Sequence, residues 1–492
     1  MVQRRPTGRQ KARPRPLRML ARDVTLAAMC TDHDRPSSIS RRDVLRTGLA
    51  AAATMLVLPR ALRGATPVHL SPSRPDLDVA LEAERWIRRA RAETPNGITW
   101  PANPLEPPTF EDDLYNGMPG VILFYLELHA ATGDVHWLTD ARAGADHLIG
   151  RLADLEQKQD CGLYTGLAGA GFVLEETHRA TGDGKYRDAA KRCIDAIHAK
   201  ATKVGSGIAW SGESGTNDII SGSAGIGLFL LWADERIPDA RNRAAAAAAG
   251  KRLVEVALPE HGGLKWAVAP NVKNLYPNFS HGAAGVSYYL ASLFKVTGDR
   301  AFLDASLAGA TYLDAVSNRD AGLKVFHHEP GGEQLYYLSW CHGPAGLSRL
   351  FYRLGDVTGD DRWHGRMRDA ATAIIASGVP EQRTPGFWNN ISQCCGNSGV
   401  GEYFLTMNRL MPNAAYAEMV NRVAADTLRR STVDGDGRKW IQAENRVSPD
   451  IVIAQTGFMQ GAAGVGTFFL HRDAAERGVR SPSIVWPDSP FV

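Results

Sequence analysis

Seven long apolar runs recur along the chain, and each is opened by the same signature, Gly-x-x-Gly. The first glycines are Gly117, Gly166, Gly222, Gly282, Gly343, Gly396 and Gly461, separated by 49, 56, 60, 61, 53 and 65 residues. Behind the first signature stands Val121-Ile-Leu-Phe-Tyr-Leu-Glu-Leu128, and behind the fourth Val286-Ser-Tyr-Tyr-Leu-Ala-Ser-Leu293. Runs of helical length with so few polar breaks predict helices buried on every side. Two glycines one turn apart at a helix start let another backbone approach closely. Four of the runs end in Thr-Gly-Asp, at Thr132–Asp134, Thr181–Asp183, Thr297–Asp299 and Thr358–Asp360. The glycine suits a left-handed C-cap and the aspartate an N-cap for the next helix. Three residues on, an aromatic follows each time: Trp137, Tyr186, Phe302 and Trp363. Each unit therefore reads as a helical hairpin, an apolar helix followed by an amphipathic one such as residues 137–152.

A third device precedes several signatures. Glycine-led segments ending in an aromatic run from Gly97 to Trp100, Gly207 to Trp210, Gly263 to Trp266, Gly322 to Phe326, Gly386 to Trp388 and Gly437 to Trp440. They predict short strands or extended loops at one end of the bundle, with aromatics that either pack under loops or wall a substrate. Seven hairpins with apolar inner helices predict an all-α fold, an α/α toroid whose inner helices form a barrel and whose outer helices form a sleeve. An open solenoid is the alternative. It would carry polar capping repeats, and the first and last signatures here are as apolar as the others. Units that share one core make residues 66–492 a single toroid domain despite the chain's length of 492 residues.

Charge separates the rest of the chain. The net charge is +3, yet residues 1–64 hold fourteen Arg or Lys against four Asp, which leaves about −7 on the remainder. A body of that charge has no basic footprint, which argues against a nucleic-acid partner. Residues 1–65 read as a tail and targeting signal. Ser40-Arg41-Arg42-Asp43-Val44-Leu45 is a twin-arginine pattern, and the apolar run from Thr47 to Leu58 behind it is too short for a membrane span. Export by the twin-arginine route, to a periplasm or the exterior, is the expectation, with a cytoplasmic location as the alternative.

Counting back from each first glycine turns the repeat into coordinates. One residue before stand Asn116, Thr165, Ser221, His281, His342, Cys395 and Gln460; two before stand Tyr115, Tyr164, Ile220, Ser280, Cys341, Cys394 and Met459. Every cysteine and histidine in these sets falls in units four to six, whose loops are neighbours in a toroid. Cys341, Cys394 and Cys395 are therefore candidate zinc ligands: thiolates select zinc, and three protein ligands leave a fourth position for chemistry. A vicinal disulfide, three core thiols, or a closed Cys₃His structural site using His342 or His281 stay open. The offset of His281 beside the thiols favours an acid–base role over a core histidine. His342 follows a candidate ligand and is placed to orient it. Asp218, four residues before Gly222, divides between catalysis and helix capping, because Asp113 has the same offset in the first unit. Cys161 and Cys193 read as buried small residues.

At these residues the chain resembles the lanthionine synthetase C-like cyclases over roughly residues 75–475. The sevenfold glycine signature, Ser-His281-Gly-Ala-Ala-Gly, Trp-Cys341-His-Gly and Cys395-Gly396 stand in that family's order. The resemblance implies an α/α toroid with Zn²⁺ held by Cys341, Cys394 and Cys395. It also implies catalytic roles for Asp218, within Asn217-Asp218-Ile-Ile-Ser-Gly222, and for His281. Here Cys-Cys-Gly replaces the usual Cys-His-Gly, as in some fused, substrate-tolerant lanthipeptide synthetases. The implied reaction adds a cysteine thiol to dehydroalanine or dehydrobutyrine, giving a thioether in a peptide. No dehydratase-like segment is present, so a separate dehydratase is the expected partner. For an exported form, thiol addition to other electrophiles and hydrolysis by zinc-activated water stay open as alternatives. A carbohydrate-active toroid, which needs paired carboxylates, and a non-catalytic zinc-stabilised scaffold are the remaining alternatives.

Overall fold

Apolar runs that begin at Gly-x-x-Gly and end at Thr-Gly-Asp become helices with those boundaries. The computed structural model describes residues 73–104, 107–212, 215–270, 276–325, 335–382, 387–443 and 449–491. The twin-arginine segment, Cys30, Phe326 and Gly386 lie outside the described residues. Two units are distinguished. The smaller joins 1–71 with Ala443–Ile451, of which only residues 443 and 449–451 are described. The larger, Pro72–Gln442 with Val452–Val492, carries the helical repeat.

Its described helices are α1 (Pro75–Arg89), α2 (Met118–Thr132), α3 (His136–Gln157), α4 (Leu167–Thr181), α5 (Gly184–Lys200), α6 (Ser223–Arg236), α7 (Ala240–Glu255), α8 (Ala283–Thr297), α9 (Arg300–Val316), α10 (Pro344–Thr358), α11 (Arg362–Ala376), α12 (Asn397–Leu410), α13 (Ala414–Arg429) and α14 (Ala462–Glu476). The even-numbered helices form the barrel. In α2 every residue from Met118 to Leu128 is buried, whereas α3 buries only a stripe through Ala141, Ala145, Leu148, Leu152 and Leu155. Each inner helix packs on the next, and α14 returns to α2, so the ring is closed. No described helix is long and apolar enough to cross a membrane.

Counting hairpins forward from Gly117 leaves the seventh unit without an outer helix. The structure supplies it from the start of the chain: α1 packs on α14. Reciprocal ion pairs lock this seam. Arg74 Nε donates to Asp473 Oδ1 at 2.9 Å, and Arg472 Nη1 donates to Asp76 Oδ1 at 2.7 Å.

The turns behave as their residues require. Gly133, Gly182, Gly298 and Gly359 have φ between 68° and 72°, the left-handed conformation of a C-cap. Asp183 Oδ1 and Asp299 Oδ1 accept from the N–H of Lys185 and Ala301 at the following helix starts. Two units use a different stop. Asp239 and Asn413, each after a proline, cap α7 and α13 in the same way.

Two-residue-turn hairpins follow the outer helices: β1 (Ala92–Thr94) with β2 (Gly97–Thr99), β3 (Thr202–Val204) with β4 (Gly207–Ala209), and β5 (Leu258–Glu260) with β6 (Gly263–Lys265). β7 (Ser317–Asn318) with β8 (Lys324–Val325) makes a shorter antiparallel pair. β9 (Tyr336–Tyr337) with β10 (Phe387–Trp388) pairs in parallel between units five and six. After α13 the hairpin returns as β11 (Thr432–Asp434) with β12 (Gly437–Lys439). The tryptophans behind these hairpins pack under them. Trp100, Trp210, Trp266 and Trp440 are all buried. The indole N–H of Trp210 donates to Ile197 O, that of Trp266 to Leu253 O, and that of Trp440 to Thr427 O. Each thereby satisfies a carbonyl in the last turn of an outer helix, which has no intrahelical partner. These rings hold the sleeve to the hairpins, and a substrate wall is not what they build.

Candidate functional site

The site is assembled by the loops that carry the glycine signatures. Each loop folds back across the start of its own inner helix. A Cβ added at the second glycine would sit 1.9–2.4 Å from the carbonyl oxygen six residues earlier in six of the seven units, for example Gly285 against Phe279 O. The same Cβ would strike the preceding unit: at Gly285 it would lie 2.6 Å from Ile219 Cγ1. Glycine is therefore what lets adjacent loops touch.

Once in contact, the loops bond to one another through their backbones. Tyr115 N donates to Tyr164 O, Tyr164 N to Ile220 O, Ile219 N to Ser280 O and Ser280 N to Cys341 O. Cys341 N then donates to Cys394 O, Cys394 N to Met459 O, and Met459 N to Tyr115 O, all at 2.9–3.2 Å. This is a closed belt with one member per unit. Six donors stand two residues before the first glycine, and only the third unit shifts, by one residue, at Ile219.

The belt brings the three cysteines of units five and six together. Cys341 Sγ is 3.3 Å from Cys395 Sγ, which is 3.4 Å from Cys394 Sγ, and all three sulfurs lie within 4.8 Å of one another. All three are buried free thiols, as are Cys161 and Cys193. Zn–S bonds of about 2.3 Å at tetrahedral angles place sulfurs about 3.8 Å apart. The two sulfur–sulfur contacts of 3.3 and 3.4 Å lie within about half an ångström of that value, so the donor set fits a zinc ion after a small outward adjustment. The thiols do not titrate alike. Burial pushes Cys341 and Cys394 up, while hydrogen bonding with Cys341 and Cys394 holds Cys395 well below the usual thiol range.

Two side chains at register positions attend the sulfurs. Tyr115 Oη donates to Cys394 Sγ at 2.9 Å, and Gln460 Nε2 donates to Tyr115 Oη at 3.0 Å. Counting offsets places Tyr115 on the belt and Gln460 next to its member Met459, but their bonds to the cluster are not readable from spacing.

Asp218 and His281 form a pair beside the thiols. His281 Nδ1 lies 2.6 Å from Asp218 Oδ2, an N–H donated to a carboxylate that can only accept. Asp218 Oδ1 accepts from Ser221 N at 3.0 Å. Capping and pairing are thus divided between the two oxygens of one carboxylate. Asp113 Oδ1 makes the same turn-capping bond to Asn116 N, and Asn278 Oδ1 caps His281 N. The bond to an imidazole is what sets Asp218 apart. Asp218 is buried at 1% side-chain exposure and His281 is open at 12%, so the imidazole is the member that meets solvent. His281 is close enough to Cys395 for its charge to favour the thiolate. His342 is buried, with its ring 5.9 Å from that of His281 and 4.9 Å from Tyr337.

A closed ring of helical hairpins with this loop chemistry defines an α/α toroid of one family. The model of the family described as lanthionine synthetase C-like protein matches residues 108–485, more than three-quarters of the chain, and the chain belongs to that family. Among solved structures it is similar to a nisin cyclase: 18% identity and a TM-score of 0.57, covering 82% of this chain and 94% of that one. Weaker likenesses include an alpha-1,6-mannanase from Salegentibacter sp. HEL1_6, with 13% identity, a TM-score of 0.45 and coverage of 82% and 99%. A D-mannose isomerase has 9% identity, a TM-score of 0.46 and coverage of 82% and 98%. At 18% identity the likeness to the nisin cyclase speaks to the fold. No protein of curated function matches the chain in sequence.

Proposed function

We propose that this chain is a zinc-dependent enzyme that adds a cysteine thiol of a peptide to a dehydroamino acid, forming a thioether. The observation that carries the reading is the convergence of three buried thiols, from two consecutive loops, beside an Asp–His pair from the two loops before them. Family membership supports the same chemistry. Cys341, Cys394 and Cys395 would hold the ion, whose contribution when bound is to keep an incoming thiol deprotonated at neutral pH. Asp218 fixes the His281 ring and its tautomer through Nδ1, which assigns proton transfer to Nε2. His281 delivers the proton that the α-carbon needs once sulfur has added to the double bond. Asp218, buried and doubly bonded, orients the imidazole without meeting substrate. The dehydroamino acid would come from a separate dehydratase, and the twin-arginine pattern assigns the work to an exported protein.

The test is a thioether-forming assay with a dehydroalanine peptide and a thiol, run beside metal analysis. About one zinc per chain and measurable addition are expected. His281→Ala should keep the metal and lose about 10²- to 10⁴-fold in rate. An unchanged rate would remove His281 from the mechanism. A metal-loaded wild type with no addition would overturn the activity.

A further inference from the structure

The segment after α14 is not a loose end. Residues Ser483 to Phe491 lie against the inner helices. Ser483 Oγ and Ile484 N donate to the carboxylate of Glu127 on α2, at 2.6 and 3.0 Å. Arg179 of α4 donates to Ser483 O at 2.9 Å, and Trp232 Nε1 of α6 donates to Val485 O at 3.2 Å. Trp486 stacks on Tyr164 at 5.7 Å and packs on Phe458 at 4.7 Å.

This path delivers one carboxylate to the loops of the thiol cluster. Asp488, 1% exposed, accepts at Oδ2 from both Tyr164 Oη and Trp340 Nε1, each at 3.1 Å. Arg349 Nη1 of α10 donates to Asp488 O at 2.9 Å and stands 3.6 Å from Oδ1. Trp340 is joined by its peptide bond to Cys341. Tyr164 accepts the belt bond from Tyr115, the residue that donates to Cys394 Sγ. A single oxygen is thus one residue removed from one sulfur-bearing side chain and two removed from another.

We propose that Asp488 is a positioning residue of the thiol cluster, so that the C-terminal segment is a working part of the metal centre. The inference rests on the reading of that cluster as a metal site. Three sulfurs serve one ion only if their spacing is held to a few tenths of an ångström. Cys341 and Cys394 lie on loops, which are less rigid than helices. The carboxylate answers this by pinning Trp340 and Tyr164 to one point. It uses two lone pairs of one oxygen and is itself held by Arg349. An apolar residue at this position would leave two buried donors unpaired, take the facing charge from Arg349, and leave the loops free to drift.

The test compares the full-length wild type with Asp488→Ala, Asp488→Asn and Trp340→Phe, using Co²⁺ as a spectroscopic probe and a competing chelator for Zn²⁺ affinity. Trp340→Phe keeps an aromatic ring but removes the N–H together with the pyrrole half of the indole, and it leaves Asp488 in place, so it tests the same bond by a second route if the Asp488 variants fail to fold. Weakening of Zn²⁺ binding by about 10- to 100-fold is expected, the usual effect of losing an outer partner of a ligand. The thiolate-to-Co²⁺ absorption should also change at temperatures where circular dichroism shows the toroid intact. A role in stability alone would move the unfolding midpoint and leave that spectrum unchanged. Variants that keep affinity within twofold and the wild-type spectrum overturn the positioning role while the metal reading stands. If wild type and Cys341→Ala alike take up no metal, the metal reading fails and this inference with it.

Discussion

His471 offers the sharpest test of the barrel interior. It stands on α14, with Nδ1 2.8 Å from Glu402 Oε1 of α12 and Nε2 3.6 Å from Glu127 Oε1 of α2. Burial disfavours its charged form, but the two glutamates outweigh that and raise its pKa from 6.5 to about 10. Glu127 in turn anchors the C-terminal segment through Ser483 and Ile484. His471→Leu would leave two glutamates facing each other with no cation. Breaking a buried pair in this way costs about 3–5 kcal/mol. The titration gives a comparable figure, since a rise from 6.5 to about 10 corresponds to roughly 5 kcal/mol. The sign follows from linkage. A histidine whose folded pKa is raised contributes fully below about 6.5, and its contribution is lost as pH climbs toward 10. Denaturant unfolding from pH 6 to 10 is the assay. At pH 7 the variant should be less stable than wild type by about 3–5 kcal/mol, and the gap should close toward pH 10. A gap under about 1 kcal/mol at pH 7, or one that stays constant with pH, refutes the reasoning.

Three further perturbations probe other levels of the structure. Gly225→Ala would drive a Cβ to 2.0 Å from Ile219 O, in the loop that also carries Asp218. Loss of several kcal/mol of stability, together with loss of the Asp218–His281 contact in histidine NMR, is expected; wild-type stability and spectrum would sink the close-approach argument. Tyr115→Phe removes the hydrogen bond on Cys394 Sγ. The sulfur should become more electron-rich, so the thiolate-to-Co²⁺ absorption should move to longer wavelength, and an unshifted band would mean that the hydroxyl does not touch the bound cluster. Replacing Arg41 and Arg42 with lysine should leave the protein in the cytoplasm on cell fractionation; continued export would remove the twin-arginine assignment.

The toroid was legible because its turns are spelled out locally. Gly-x-x-Gly fixes where each inner helix begins, and Thr-Gly-Asp fixes where four of them end. The stops at Asp239 and Asn413 lacked the glycine and so lay outside the pattern. The thiol cluster was legible because a closed ring turns equal offsets into neighbouring places. Asp218 remained divided because capping and ion pairing call for the same residue at the same offset, and only the position of His281 separates them. The outer partner of α14 could not be read by counting onward, since it precedes the first signature. The reach of Asp488 to Trp340 and Tyr164 spans 148 and 324 positions of sequence without any local periodicity. Contacts of that kind depend on where the fold sends an extended segment.

The seam between α1 and α14 also has a consequence in time. A chain made from its N-terminus exposes α1 first and must hold its apolar stripe unsatisfied until α14 emerges, almost 400 residues later. Cys394 likewise waits, because its N–H partner Met459 and the link from Met459 back to Tyr115 belong to the last unit. The thiol cluster is therefore finished at the same moment as the ring. A chain interrupted anywhere before α14 lacks the closure and the finished belt together, so synthesis through the last helical unit becomes the condition for an assembled centre.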